Sequence, residues 1–277
     1  MHRFFLLLVF CLGFYAVVFY AVAIATDVGE LKTHYVWVNY RGKGKPVQMR
    51  VIKQRPVKWV GVDQVSKIAV SAIVISEDDA FYQHNGYDFN QLIEAYKRDM
   101  EEHRFVRGGS TITQQVVKNV YLTGEKTLWR KVKELVLALR LEKQVGKRKI
   151  LETYLNVAEF GEGLYGIGPA SNYYFQKSPA ELNAKEGAFL AMLLPSPKRY
   201  SISFRKRELS PFARSIIASI LEKLHVTHRL TDEEFTTELA RPLNFEAAPH
   251  PMLNPGLAAP EPADDEDDPV TSNPSLR

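Results

Sequence analysis

Hydrophobic and polar positions change rhythm three times along this chain. From Phe4 to Ala25, 22 consecutive residues carry no charge, enough to cross a bilayer as a helix. This predicts a transmembrane anchor over residues 1–26. A cleaved signal peptide is the rival, since "AVAIA" offers small residues, but its apolar region is ordinarily shorter. The second rhythm has a period of two: "HYVWVNY" and "PVQMRVI", on either side of Gly42 and Gly44, predict one β-hairpin within residues 27–58. Beyond Trp59 the spacing becomes helical. Asp63 is placed to cap a helix running through Ile75, Ser110 one that covers "TITQQVVKNVYL", and Thr127 one that covers "LWRKVKELVLALRLEK". Ser178 with Glu181 reads as a capping box with Pro179 at the first helical position, and Thr231 with Glu234 reads as another. Residues 59–245 are therefore expected to form a mainly α body.

The last stretch, 246–277, has another character. Seven prolines surround "DDEDD" there, with too little apolar area to fold, so disorder is expected. Charge is uneven in the same way. The whole chain is +4, but six acids and only Arg277 among the bases fall beyond residue 246. Without them 35 bases face 26 acids, an excess that asks for an anionic partner. At 45% hydrophobic and 25% charged residues the chain as a whole is globular. Cys11 is the single cysteine, which excludes an intrachain disulfide and leaves the redox compartment unread. No repeat, zinc-ligand spacing or phosphate-cradling P-loop is present. Only Arg3 precedes the apolar segment, whereas Lys32, Arg41, Lys43 and Lys45 follow it, so charge alone argues against an external body.

Three stretches carry candidate chemistry. In "VISEDDAFYQHNG", Glu77 follows an apolar helix and precedes Asp78 and Asp79. A helix end and two adjacent carboxylates all disfavour ionisation, so a raised pKa and the role of proton acceptor are expected for Glu77. A solvated acidic turn is the plainer reading, and His84 reads more simply as structural than as a base. In "RGGSTITQQ", Gly108 and Gly109 let the backbone approach a ligand closely. The helix start beyond them offers N–H groups to phosphate. Arg107, Ser110, Thr111, Thr113, Gln114 and Gln115 add donors and acceptors for sugar hydroxyls. An ordinary helix cap explains Ser110 but not the whole polar set. In "KTLWRKVKE", Lys126, Arg130, Lys131 and Lys133 surround Glu134, with Arg130 and Glu134 at i, i+4 spacing. This is either a charged solvent face or a carboxylate held ionised among cations that can grip a pyrophosphate.

In this order the stretches resemble the peptidoglycan glycosyltransferases of glycosyltransferase family 51, near their monofunctional, membrane-anchored form. The matching blocks are "EDDAFYQHNGYDF", "GGSTITQQ", "RKVKE", "KRKILETYLN", "FGEGLYGIGPASNYYFQK" and "EGAFLAMLLPSPKRY". Asp79 and Ala80 depart from the family pattern, which tends to place a basic or polar residue after the Glu-Asp pair. The resemblance implies a lysozyme-like, mainly α fold with a small lobe against the membrane. It implies polymerisation of lipid II into β-1,4-linked glycan, with inversion at the MurNAc anomeric carbon and release of undecaprenyl pyrophosphate. Glu77 matches the general base and Glu134 the second catalytic glutamate. Lys118, Lys126, Arg130, Lys131 and Lys133, joined by Arg107, Ser110, Gln114 and Gln115, are the candidates for substrate binding. A divalent cation, magnesium or manganese, is a candidate at the pyrophosphate, and no organic cofactor is expected.

The implied partners are lipid II, the growing strand and membrane lipids, with penicillin-binding or division proteins as further candidates and no nucleic acid. The implied location is the bacterial inner membrane, single-pass, with the body on the periplasmic side, and this overrides the charge count. The 77 residues after Tyr200 are too few for a transpeptidase domain, and "SISF" and "SIIAS" lack the lysine of its serine motif. Two rivals stay in view. A lysozyme-like glycan-cleaving enzyme needs no pyrophosphate site, and a non-catalytic scaffold needs no glutamate pair.

Overall fold

The computed structural model describes residues 13–14, 25–88, 109–122 and 127–247. The expected anchor lies outside them apart from Gly13, Phe14, Ala25 and Thr26, as do Arg107, Gly108, Lys126 and all of the chain beyond Ala247. Among the described residues no helix is long and apolar enough to cross a membrane.

The hairpin forms where the alternation placed it. Strands β1 (Tyr35–Asn39) and β2 (Gln48–Ile52) pair antiparallel, with Tyr35 opposite Ile52 and Asn39 opposite Gln48. Its inward face does not stand apart from the body. Val36, with Val28 and Leu31 just before it, is buried in the same core as the helices, and Tyr35 packs edge-on against Trp59 at 5.3 Å.

The body is built from helices α1 (Lys67–Glu77), α2 (Ile112–Tyr121), α3 (Leu128–Val145), α4 (Lys147–Val157), α5 (Ile167–Phe175) and α6 (Ala184–Leu193). These are followed by α7 (Pro197–Tyr200), α8 (Ile202–Lys206), α9 (Pro211–Val226), α10 (Asp232–Ala240) and α11 (Asn244–Ala247). A two-stranded ribbon, β3 (Glu159–Gly161) with β4 (Leu164–Tyr165), links α4 to α5. At its centre α6 is buried on every side. Ala69 of α1 packs so close that a Cβ on Gly187 would lie 2.6 Å from its Cα, so only glycine permits this crossing. Helix α9 buries Ala213, Ile217, Ile220, Leu221 and Leu224, one stripe of helical period. The two charged residues of α6 are buried with partners: Glu186 meets Lys177 at 2.6 Å, and the Lys185 ammonium donates to the carbonyls of Leu239 and Arg241.

Two expected caps move. Asp63 lies in a short 3-10 turn, Val62–Gln64, and pairs with Arg148. Extended backbone at Val65 separates that turn from α1, which starts after Ser66. The cap of α2 is Thr111 rather than Ser110: its hydroxyl accepts from Gln114 N–H, and the Gln114 side-chain oxygen accepts from Thr111 N–H. Thr127 caps α3 and Thr231 caps α10 as expected, whereas Pro179 begins only a three-residue 3-10 turn. Phe245 packs against Phe189 and Phe204, and Glu246 beyond it accepts from Leu243 N–H, so the folded body runs to Ala247.

Candidate active site

Glu77 is the last residue of α1, and the chain leaves the helix at Asp78. Asp78 is buried, and each of its oxygens accepts a hydrogen bond. Oδ2 takes the backbone N–H of Ile112, the first residue of α2, at 2.9 Å, and Oδ1 faces His84 Nε2 at 2.8 Å. His84 Nδ1 accepts from Gly86 N–H at 3.1 Å, so the ring proton sits on Nε2 and is donated to Asp78. Gly86 has φ of 99°, and a Cβ there would lie 3.1 Å from the Ala138 backbone of α3. Its carbonyl accepts from the Thr111 hydroxyl at 2.8 Å. The second acid of "EDD" is thus a clamp that fixes the start of α2 beside the end of α1, and His84 is its hydrogen-bond partner.

The clamp brings α2 side chains onto Glu77. Gln115 Nε2 donates to Glu77 Oε2 at 2.8 Å, and the Tyr154 hydroxyl of α4 lies 3.4 Å from the same oxygen and 3.5 Å from Gln115 Oε1. Burial raises the Tyr154 phenol well above its ordinary pKa, and the nearby Glu77 carboxylate adds to the shift, so the group stays protonated.

The second carboxylate sits on α3. Glu134 is buried, with Lys131 against Oε1 and Arg130 Nη1 3.7 Å from Oε2. Lys131 Nζ also donates to Ser110 Oγ at 2.9 Å, which draws the hydroxyl released from capping toward the cations. Arg130 Nε is buried and has no hydrogen-bond partner among the described residues. Lys118 of α2 exposes much of its side chain, so the loss of hydration at its ammonium is partial. That loss lowers its pKa; Glu134 opposes the shift, Lys131 and Arg130 reinforce it, and Glu77 opposes it more weakly. Lys118 therefore lies in the field of both carboxylates. Lys133 is one residue from Glu134, about 100° around the helix.

Not every polar residue of these stretches reaches the cluster. Gln114 is buried with its carbonyl engaged by Thr111, and Thr113 donates to Glu142, which also meets Lys147 at 2.6 Å. Arg107 and Lys126 lie outside the described residues. Much of "KRKILETYLN" is scaffolding. Glu152 accepts from Trp59 Nε1 at 3.0 Å and pairs with Lys149 at 2.9 Å, while Asn156 holds the N–H and the carbonyl of Val60, each at 2.8 Å. Tyr154, in the same block, was not singled out by its sequence setting; a tyrosine on an apolar helix face carries no local sign of what its hydroxyl meets.

Residues 43–223 match the family described as Transglycosylase. Curated relatives share the description "Biosynthetic peptidoglycan transglycosylase". That from Alcanivorax borkumensis is 49% identical over 142 residues, 51% of this chain and 58% of the relative. That from Nitrosomonas eutropha is 38% identical over 163 residues, 59% of this chain and 67% of the relative. That from Nitrosospira multiformis is 39% identical over 160 residues, 58% and 70% respectively. The match thus spans less than two thirds of the first relative.

Proposed function

The chain belongs to the Transglycosylase family, and we propose from this premise that it is a peptidoglycan glycosyltransferase that polymerises lipid II. The observation that carries the reading is the pair of carboxylates whose fields both reach Lys118. Among the described contacts Glu77 accepts from the Gln115 amide and lies 3.4 Å from the Tyr154 hydroxyl, and Glu134 is buried against Lys131 and Arg130. Two carboxylates in contrasting settings suit two roles. Glu77 takes the proton from the 4-hydroxyl of the acceptor GlcNAc as that oxygen attacks the anomeric carbon of the MurNAc that ends the growing strand. The bond to pyrophosphate breaks on the opposite face. A single displacement of this kind inverts the anomeric centre and leaves no covalent enzyme intermediate. Charge building on the leaving oxygen is met by Lys118, Lys131 and Arg130, which Glu134 keeps in place.

A protein-held divalent cation does not fit this donor set. Both oxygens of Glu134 face basic side chains, and the described residues contain no group of three or more His, Cys, Asp or Glu side chains able to hold a metal. No step is therefore routed through a metal, and the lysine and arginine side chains take the leaving group.

The location follows from the substrate: a lipid-borne disaccharide on the outer side of the inner membrane requires the body there, carried by the apolar residues 4–25. The excess positive charge of the chain before its tail suits an anionic membrane surface. The test is incubation of the detergent-solubilised protein with labelled lipid II. Lysozyme-sensitive polymer is the expected product. Shortening of preformed glycan, with no polymer from lipid II, would favour the hydrolytic alternative.

A further inference from the structure

Tyr154 is fully buried, 1% exposed, on a helix whose neighbours at that depth are apolar or engaged. A phenol at such a position is costly unless its hydroxyl finds a partner, and phenylalanine would fill the space without that requirement. Among the described residues this hydroxyl lies 3.4 Å from Glu77 Oε2 and 3.5 Å from Gln115 Oε1. Gln115, from another helix, donates to the same Glu77 oxygen. Its amide is oriented by chemistry: an ionised carboxylate only accepts, so Nε2 must face Glu77 and Oε1 is left toward the phenol.

We propose that Tyr154 and Gln115 are positioning residues that fix the rotation of the Glu77 carboxylate by meeting it with two donors on one oxygen from two helices. The assignment rests on the polymerase reading above. A glutamate has three rotatable bonds, and a general base works only when its lone pair lies within hydrogen-bond reach of the proton it takes. Donors from α2 and α4 converge on Oε2 and so hold the plane of the carboxylate against both helices. Tyr154 is too deep to touch a substrate, so it acts through Glu77. Gln115, an expected substrate ligand, is given the same indirect task.

The test uses the full-length protein in detergent and the Tyr154→Phe and Gln115→Met variants, which keep shape and remove one donor each. Two quantities are read: steady-state kinetics on lipid II, and the side-chain carboxylate carbon resonance of Glu77, assigned by its absence in Glu77→Gln. Expected is a fall in kcat of about tenfold for each variant, equivalent to one hydrogen bond weakened at the transition state. KM should stay within about twofold, because a group that never touches substrate removes no ground-state binding. The Glu77 resonance should move in both variants. A merely structural tyrosine predicts neither effect beyond a change in melting temperature. Tyr154→Phe with wild-type kcat, or with an unmoved Glu77 resonance, overturns the assignment. If Tyr154→Phe fails to fold, Gln115→Met decides by the same two readings. A wild-type protein that makes no polymer sinks the polymerase reading instead, and the resonance still reports whether the two donors hold Glu77.

Discussion

Asp78→Asn is the sharpest probe of how the site is assembled. The substitution keeps size and shape and exchanges one accepting oxygen for an NH2 group. In the native site both oxygens accept, one from Ile112 N–H and one from His84 Nε2–H. An asparagine can satisfy one of these donors, and its amide nitrogen then faces the other. His84 cannot relieve the conflict by moving its proton to Nδ1, because that nitrogen accepts from Gly86 N–H. One buried donor is left unmet in every arrangement, which costs about 1–3 kcal/mol. For a body of this size the melting temperature should fall by roughly 2–12 °C. Polymerisation should fall too, since Asp78 ties the start of the helix that carries Gln115 and Lys118 to the end of α1. Thermal unfolding followed by circular dichroism, with lipid II turnover measured well below the transition, reads both. Combined with His84→Leu the losses should not add, and a coupling of about 0.5 kcal/mol or more is expected for groups in direct contact. A melting temperature within about 1 °C of wild type, or strict additivity with His84→Leu, would refute the clamp.

Glu77→Gln should still bind lipid II while single-turnover rate falls by about 10²–10⁴-fold, the range for loss of general-base catalysis; loss of binding with the rate kept would remove Glu77 from that role. Glu134→Gln leaves its cations unbalanced and should change lipid II affinity as well as rate, as equilibrium binding to detergent-solubilised protein can read. Lys118, its pKa lowered by lost hydration, should discharge at a lower pH than an ordinary lysine. Because the charged form grips the pyrophosphate, affinity should decline on the alkaline side earlier in wild type than in Lys118→Arg. Cutting the chain after Ala247 should leave the melting temperature unchanged. Phe245→Ala, which empties a site packed against Phe189 and Phe204, should cost about 3–5 kcal/mol, visible as a downshift in the melting curve.

What was legible in the sequence was local. The period of two gave the hairpin, and Thr127 and Thr231 gave helix starts because the hydroxyl and the N–H it accepts from are three residues apart. Ser110 misled because Thr111 is adjacent. The capping-box spacing from Thr111 to Gln114 favours the second hydroxyl, and Ser110 is left free for Lys131. Asp63 misled for a tertiary reason. Residues 59–62 are held by Glu152 and Asn156 of α4, some 90 residues away, and that docking forces extended backbone at Val65. Helix α6 escaped notice since a helix buried on all sides has no polar face to mark its period. The clustering of cations about Glu134 was visible as i, i+3 and i, i+4 spacing on one helix. The contacts of Glu77 with Gln115 and Tyr154 were not, because they come from helices 38 and 77 residues away in the chain.

That difference changes the account of why Glu77 suits a proton acceptor. From sequence, three acids stacked at a helix end implied mutual repulsion. In the fold, Asp78 is turned away from that role: the N-terminus of α2 and His84 supply donors to its charge, so the end of one helix and the start of another meet across a single carboxylate. Asp79, next along the chain, is exposed. Among the described contacts Glu77 accepts from the Gln115 amide, whereas Glu134 faces Lys131 and Arg130. Neutral donors orient a carboxylate and leave it able to take a proton. Cations beside a carboxylate hold its two oxygens in place. The clamp at Asp78 serves both, since it fixes the start of α2, which carries Gln115, bound to Glu77, and Lys118, in the field of both carboxylates.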